Sequence, residues 1–173
     1  MANKNKENHS TKVNDTDNTD ENYQTVLIGE ADKLSTKSTG KISFEIALNV
    51  KSKLKFLRIT ANASGGLFSR GWVSLTDIAQ LLDKIEKDKA FKSSIFKPVI
   101  SGGSSNNVSF LSAILRCPLV GFIQPSPSSL FLHVVNPDLV KQVALIEKLT
   151  PIDVKALPKA NAKPSNSKSI KSN

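Results

Sequence analysis

The stretch KISFEIALN, residues 41–49, decides the fold class, because its apolar side chains alternate strictly with the residues between them. Ile42, Phe44, Ile46 and Leu48 point to one side of an extended chain, and the intervening residues point to the other. The segment therefore predicts a β-strand with one face in a hydrophobic core and the other face towards solvent.

Segments on both sides of this strand predict a four-stranded meander. Residues 23–29 are a short candidate strand, and residues 53–63 are a second one. The alternation in the latter changes phase after Phe56, which predicts a bulge. Beyond the glycine turn at 64–66, residues 67–75 predict a fourth strand.

The helix that follows the meander is signalled at its start and along one face. Ser74 is placed to cap it, and Asp77 lies in the first turn, where the helix dipole favours a negative charge. Its apolar stripe consists of Ile78, Leu81, Leu82 and Ile85. Residues 23–90 therefore predict the order β-β-β-β-α.

The second half of the chain predicts the order β-α-β-β-α. The expected elements are a strand at 95–100, a loop at 101–107, a helix from Asn107 to Cys117, a hairpin of 119–124 with 130–135, and a helix from Asn136 that ends before Pro151. We therefore expect an α+β fold: one twisted antiparallel sheet with amphipathic helices packed on one of its faces.

Charge and composition divide the 173-residue chain into one domain and two tails. Residues 23–150 form the expected single α+β domain, while the polar residues 1–22 and the basic residues 151–173 are expected to be disordered. The domain carries 16 basic and 9 acidic residues, so its net charge is +7, and that of the whole chain is +9. Such an excess suits a polyanionic partner, although lysines that serve only solubility are the alternative explanation.

Composition argues against several functional classes. One cysteine, Cys117, cannot form a disulfide framework within the chain, and with only His9 and His133 it cannot complete a zinc site, so we expect neither a metal nor a cofactor. We expect Cys117 to be a buried thiol and His133 a packed, hydrogen-bonded core residue. Since no catalytic motif is present, the chain is not expected to be an enzyme. It has no signal peptide or apolar spanning segment, which predicts a cytoplasmic protein without membrane contact.

Basic and aromatic residues concentrate in the meander. The candidate nucleic-acid-binding residues are Lys51, Lys53, Lys55, Arg58, Phe68, Arg70 and Trp72. In an extended chain Phe68, Arg70 and Trp72 share one face. Cations follow the phosphates of a single strand, and flat rings stack on its bases. We therefore predict binding of single-stranded DNA or RNA with low sequence specificity, unless Phe68 and Trp72 belong to the core.

The string KLKFLRITANAS (53–64), a glycine turn, and GWVSLTDIAQLLDKI (71–85) resemble the Whirly, Pur and positive-cofactor group of single-stranded nucleic-acid-binding proteins. The resemblance covers residues 23–90. It implies binding on the exposed sheet face and association through helices into a homodimer or higher homo-oligomer. In Pur and Whirly proteins the second half of the chain repeats the first, but in this chain it does not. This difference leaves the oligomeric arrangement open.

Three alternatives stay open. The shorter string GWVSLTDIA (71–79) is similar to the strand-to-helix step of KilA-N-type DNA-binding domains, which would imply a duplex substrate. The phenylalanine-rich second half suits a protein-binding adaptor or an assembly subunit of a larger complex. The glycine loop at 101–105 could cradle a phosphate, but it lacks the lysine and spacing of a P-loop, so a plain surface loop is the simpler interpretation.

Overall fold

The computed structural model describes residues 20–154, which contain seven strands and three α-helices. The strands are β1 (Tyr23–Asp32), β2 (Lys41–Asn49), β3 (Lys55–Asn62), β4 (Val73–Ser74), β5 (Phe91–Lys92), β6 (Ile123–Ser126) and β7 (Ser129–Val135). The helices are α1 (Leu75–Asp83), α2 (Asn106–Arg116) and α3 (Leu139–Glu147). Short 3-10 helices span Asp20–Asn22 and Ser93–Phe96. The fold is α+β, as predicted. The order of strands and helices also agrees with the prediction, except that β5 lies at Phe91–Lys92 and not at 95–100.

The strands form two antiparallel sheets, where one was expected. The first sheet is a meander in the order β1-β2-β3-β4, and the second has the order β5-β7-β6. Neither sheet closes into a barrel. Helix α2 packs on β1 and β2, and α1 packs on β3 and β4, so one face of the meander is covered.

Cross-strand register separates the two faces of the meander. Ile46 of β2 lies opposite Leu57 of β3, which lies opposite Val73 of β4, and all three side chains are buried. This inner face meets α1 and α2. The neighbouring pairs, Glu45 with Arg58 and Phe56 with Ser74, therefore belong to the opposite side, which we call the outer face.

The start of α1 agrees with its prediction. The Ser74 hydroxyl accepts a hydrogen bond from the Asp77 amide at 3.1 Å, as an N-cap does. Ile78 and Leu82 are fully buried against the sheet. The alternation in β2 is confirmed as well, since Ile42, Phe44 and Ile46 are fully buried.

The predicted strand at 67–75 is wrong except for Val73–Ser74. Gly65 and Gly66 both have positive φ, and the chain leaves β3 in a loop. The Ser69 amide then donates a hydrogen bond to the side-chain oxygen of Asn107 in α2 at 2.9 Å. This amide is therefore not available to donate to the carbonyl of a neighbouring strand.

Two other predictions about strands are corrected. Residues 95–100 form no strand: the Lys97 amide bonds the Ser94 carbonyl at 3.2 Å, the 3-10 pattern, and Pro98 has no amide for a ladder. The irregularity in β3 falls between Ile59 and Ala61, not after Phe56. Of the expected tails, residues 1–19 and 155–173 lie outside the described residues.

Candidate nucleic-acid interface

Three aromatic rings and one guanidinium meet on the outer face of the meander. We call Tyr23, Phe56, Arg58 and Trp72 the outer-face cluster. The rings of Tyr23 and Trp72 are stacked, with centroids 4.2 Å apart and planes 14° apart. Phe56 meets Tyr23 edge to face, with centroids 5.5 Å apart. The Arg58 Cζ lies 4.4 Å from the Trp72 ring centroid, which is a cation–π contact.

Strand pairing explains why these residues meet. Phe56 and Arg58 are two residues apart on β3 and therefore share its outer face. Trp72 directly precedes Val73, the partner of Leu57, and so reaches the level of Arg58. Tyr23 begins β1 at the same end of the sheet. All four members are half-buried, so the cluster is outside the core but not fully open to solvent.

Two groups contact the Trp72 ring within the protein. Tyr23 stacks on the ring, and the Arg58 guanidinium forms a cation–π contact with it. The indole nitrogen is buried and has no hydrogen-bond partner among the described residues. Trp72 is thus the central ring of the cluster, in contact with both Tyr23 and Arg58.

Two carboxylates balance the charge of Arg58. Asp20 Oδ1 lies 2.5 Å from Nη1, and Glu45 Oε1 lies 2.6 Å from Nε. The Glu45 contact is an ion pair whose angle falls outside hydrogen-bond geometry. The expected row of unbalanced cations is therefore interrupted at Arg58.

Lys55 is not available to a phosphate, which corrects its predicted place at the surface. Only 3% of the residue is exposed, and its ammonium donates to the carbonyl of Ile146 at 2.8 Å and to that of Glu147. These carbonyls end α3, where a cation is favoured by the helix dipole. Burial lowers the pKa of Lys55, and the Glu147 carboxylate, 3.9 Å from Nζ, partly opposes that shift.

Lys51 and Lys53 lie beside the cluster in the turn between β2 and β3. The Asn49 side chain organises the turn by accepting from the Lys51 amide at 3.1 Å. The Val50 amide bonds the Asn22 carbonyl at 2.8 Å, which fixes the turn next to the start of β1. Both lysines are exposed, and Lys53 has a left-handed backbone with φ of 60°.

Arg70 and Phe68 lie towards the other end of β3, in the loop before β4. The Arg70 guanidinium is 5.6 Å from the Phe68 ring centroid, and Phe68 is partly buried against the core. The predicted shared face of Phe68 and Trp72 is therefore not formed. Of the seven predicted residues, the structure brings two pairs into contact, Arg58 with Trp72 and Arg70 with Phe68. Lys51 and Lys53 lie in the turn beside the first pair.

A cleft of about 710 Å³ separates the Phe68 loop from the glycine loop. It is lined by residues 67–69 and 102–107. Asn107 closes its base: its side-chain oxygen accepts from the Ser69 amide, and its nitrogen donates to the Ser101 carbonyl at 3.1 Å. Asn107 thus joins the two loops, and it lies inside α2, which begins one residue before the predicted start at Asn107.

The histidine and cysteine have structural surroundings. His133 is fully buried, and its Nδ1 accepts a hydrogen bond from Arg116 Nε at 2.9 Å. Because Nδ1 accepts, the imidazole ring is neutral and its proton is on Nε2, which donates to the Ser93 hydroxyl at 2.8 Å. Burial, and secondarily the charge of Arg116, lower the pKa of His133 to about 4. Cys117 is buried, with its thiol 3.5 Å from the Glu30 carbonyl.

Sequence reasoning missed Tyr23, Phe56 and the two carboxylates. Phe56 could have been found, since it shares the parity of Arg58 in a strand. Asp20 and Tyr23 carried no such signal, because their contacts depend on where β1 begins relative to β3.

Compared with protein-family models, curated proteins and solved structures, the chain shows no match. The resemblance to the Whirly, Pur and positive-cofactor group and that to KilA-N-type domains therefore stay predictions. Within residues 20–154, no group of three or more histidine, cysteine, aspartate or glutamate side chains could hold a metal ion. No helix in the same range has the length and apolar character needed to cross a membrane.

Proposed function

We propose that the protein binds single-stranded DNA or RNA, with little base specificity, on the outer face of the β1–β4 meander. The observation that carries the proposal is the outer-face cluster, in which three rings and a guanidinium gather on the side of the sheet opposite the core. An aromatic patch outside the core is what an unpaired base needs, since every base offers a flat face to stack on.

The revised site differs from the sequence prediction in its parts. Tyr23 and Phe56 take over the stacking role that the sequence analysis assigned to Phe68 and Trp72, and Trp72 now supports them. Lys51 and Lys53 border the cluster in the β2–β3 turn, while Arg70 extends the site along the loop before β4. Lys55 is left out because it is buried. Residues 20–154 carry 16 basic and 12 acidic residues, so the described part of the chain keeps a positive balance.

A matched pair of phenylalanine variants tests the stacking part of the proposal. Phe56→Ala removes a ring of the cluster, while Phe131→Ala removes an exposed ring from the second sheet. The readout is the fluorescence anisotropy of a labelled 15-nucleotide dT oligomer. Phe56→Ala should weaken binding by about tenfold or more, because a stacked base contributes roughly 1–3 kcal/mol. Equal affinities for the two variants would contradict stacking on this face.

Lys53→Glu tests the electrostatic part without disturbing the core. The residue is exposed, so the fold should persist, and the expected result is weaker binding with a smaller salt dependence. A wild-type affinity that does not change between low and high salt would refute phosphate contact altogether.

Protein binding is a second candidate, favoured by one observation. Val140 on α3 is 82% exposed and Phe131 on β7 is 59% exposed. Large apolar side chains that stay exposed on the folded domain favour contact with another protein. Under this proposal the chain is an adaptor or assembly subunit, and Phe56→Ala leaves its interactions unchanged. Three further predictions from the sequence also stay proposals. They are assembly into a homodimer or higher homo-oligomer, binding of a duplex substrate, and a cytoplasmic, nucleic-acid-associated location.

A further inference from the structure

We infer that the Asp20 carboxylate occupies a phosphate-binding position on Arg58, and that a nucleic-acid phosphate binds by displacing it. The inference rests on the proposed function, because it names how that same site is covered and opened. It would make the segment before β1 an internal competitor for the site.

The two carboxylates on Arg58 differ sharply in accessibility. The Glu45 side chain is 13% exposed and comes from the middle of β2, whereas the Asp20 side chain is 71% exposed and comes from a three-residue 3-10 helix. An ion pair whose carboxylate is exposed to solvent contributes little to stability, so Asp20 can be displaced at little cost. Removal of a carboxylate as buried as that of Glu45 would cost more.

The geometry of the guanidinium assigns separate roles to its nitrogens. Glu45 lies at Nε, and the Trp72 ring centroid lies 4.4 Å from Cζ, so these two contacts hold Arg58 in place. Asp20 lies at Nη1, on the outward end of the fork. Arginine binds phosphate and carboxylate oxygens with the same planar fork, so a phosphodiester oxygen fits where the Asp20 oxygen is.

The backbone around Asp20 is also held close to the rest of the site. Two residues separate it from Tyr23, and the Asn22 carbonyl accepts a hydrogen bond from the Val50 amide of the β2–β3 turn. The anchor keeps the 3-10 helix next to Lys51, Lys53 and the cluster even when the Asp20 side chain turns away. Displacement of Asp20 therefore requires a change of side-chain rotamer and leaves β1 intact.

The test compares Asp20→Asn with Glu21→Gln in the full-length chain. Both variants remove one negative charge from the same 3-10 helix, but only Asp20 lies against Arg58. Binding of a labelled 15-nucleotide dT oligomer is measured by anisotropy over a range of NaCl concentrations, and circular dichroism with thermal unfolding checks that each variant is folded.

Asp20→Asn should bind the oligomer about fivefold more tightly at low salt, since the carboxylate no longer competes for Arg58. Its log–log salt slope should stay equal to that of wild type, at about −3, because a single strand contributes roughly −0.7 per phosphate contact and Lys51, Lys53, Arg58 and Arg70 contact phosphates in both complexes. Glu21→Gln should change the affinity by less than about twofold, which is the size of a long-range, screened charge effect.

Each outcome has one interpretation. Tighter binding of Asp20→Asn alone supports the inference, including the case in which wild type binds too weakly to measure. Equal gains for the two variants would show a general charge effect and overturn it, while leaving the proposed function standing. Binding of wild type that Asp20→Asn does not strengthen would also overturn it. Absence of binding by wild type and both variants would overturn the proposed function and the inference together.

Discussion

Lys55→Met separates a structural role of this lysine from the phosphate contact that the sequence predicts. The substitution keeps an unbranched apolar stem in place but removes the donor to the Ile146 and Glu147 carbonyls. Each lost bond to a charged donor costs about 1.5–3 kcal/mol, and the relief of burying an ammonium offsets part of that cost. We expect the free energy of unfolding to fall by about 2 kcal/mol in total.

Urea denaturation followed by circular dichroism measures this change, with Lys53→Met as the control. Lys53 is exposed, so its variant should differ from wild type by less than about 0.5 kcal/mol. The loss for Lys55→Met should appear as a lower midpoint with an unchanged denaturant slope. The reasoning is refuted if Lys55→Met unfolds like wild type while the salt dependence of oligonucleotide binding becomes smaller, because the ammonium would then be at the surface.

Three further predictions concern the rest of the fold. The pKa of His133 is about 4 in the folded chain and 6.5 in the unfolded chain, so the unfolded chain takes up the proton first as the pH falls. The free energy of unfolding is therefore highest above pH 6.5 and falls by about 3 kcal/mol as the pH drops towards 4. His133→Asn should flatten this pH profile, as measured by urea denaturation at a series of pH values. Asn107→Asp should destabilise the domain by about 2–3 kcal/mol, since a carboxylate cannot donate to the Ser101 carbonyl. Asn106→Asp should be near neutral by thermal unfolding, because it loses only the exposed 3.3 Å hydrogen bond from Asn106 Nδ2 to the Leu67 carbonyl. Gly29→Ala should cost about 1–3 kcal/mol, because its new Cβ would lie 2.6 Å from a Phe44 ring carbon; a melting temperature equal to that of wild type would contradict the packing.

The regular elements could be predicted because local patterns dominate them. The alternation in β2 and the cap and apolar stripe of α1 each specify one arrangement, and the structure has both. The loop before β4 could not be predicted, because a side chain from α2, Asn107, accepts the backbone donor that would otherwise continue the strand. A hydrogen bond to a residue so distant in sequence does not change the alternation of apolar and polar residues in 67–72, so the sequence pattern cannot reveal it.

The candidate site was only partly predictable, for two physical reasons. Lys55 has the same parity as Leu57 and Ile59, so a strict alternation already places it on the inner face, and its charge was given too much weight over its position. Arg58 has the expected outward position, but the carboxylates that balance it come from β2 and from the segment before β1. Pairings between strands depend on register, which the sequence of one strand does not specify.

The intrinsic fluorescence of Trp72, the only tryptophan in the chain, tests the central claim most directly. Its ring contacts Tyr23 and Arg58, so a strand that stacks on Tyr23 or displaces Asp20 from Arg58 must change its surroundings. We predict saturable quenching when a dT oligomer is added, with the same midpoint as the anisotropy titration and with no quenching by a duplex of equal length. Oligomer binding detected by anisotropy with an unchanged Trp72 emission would place the nucleic acid elsewhere and contradict the claim.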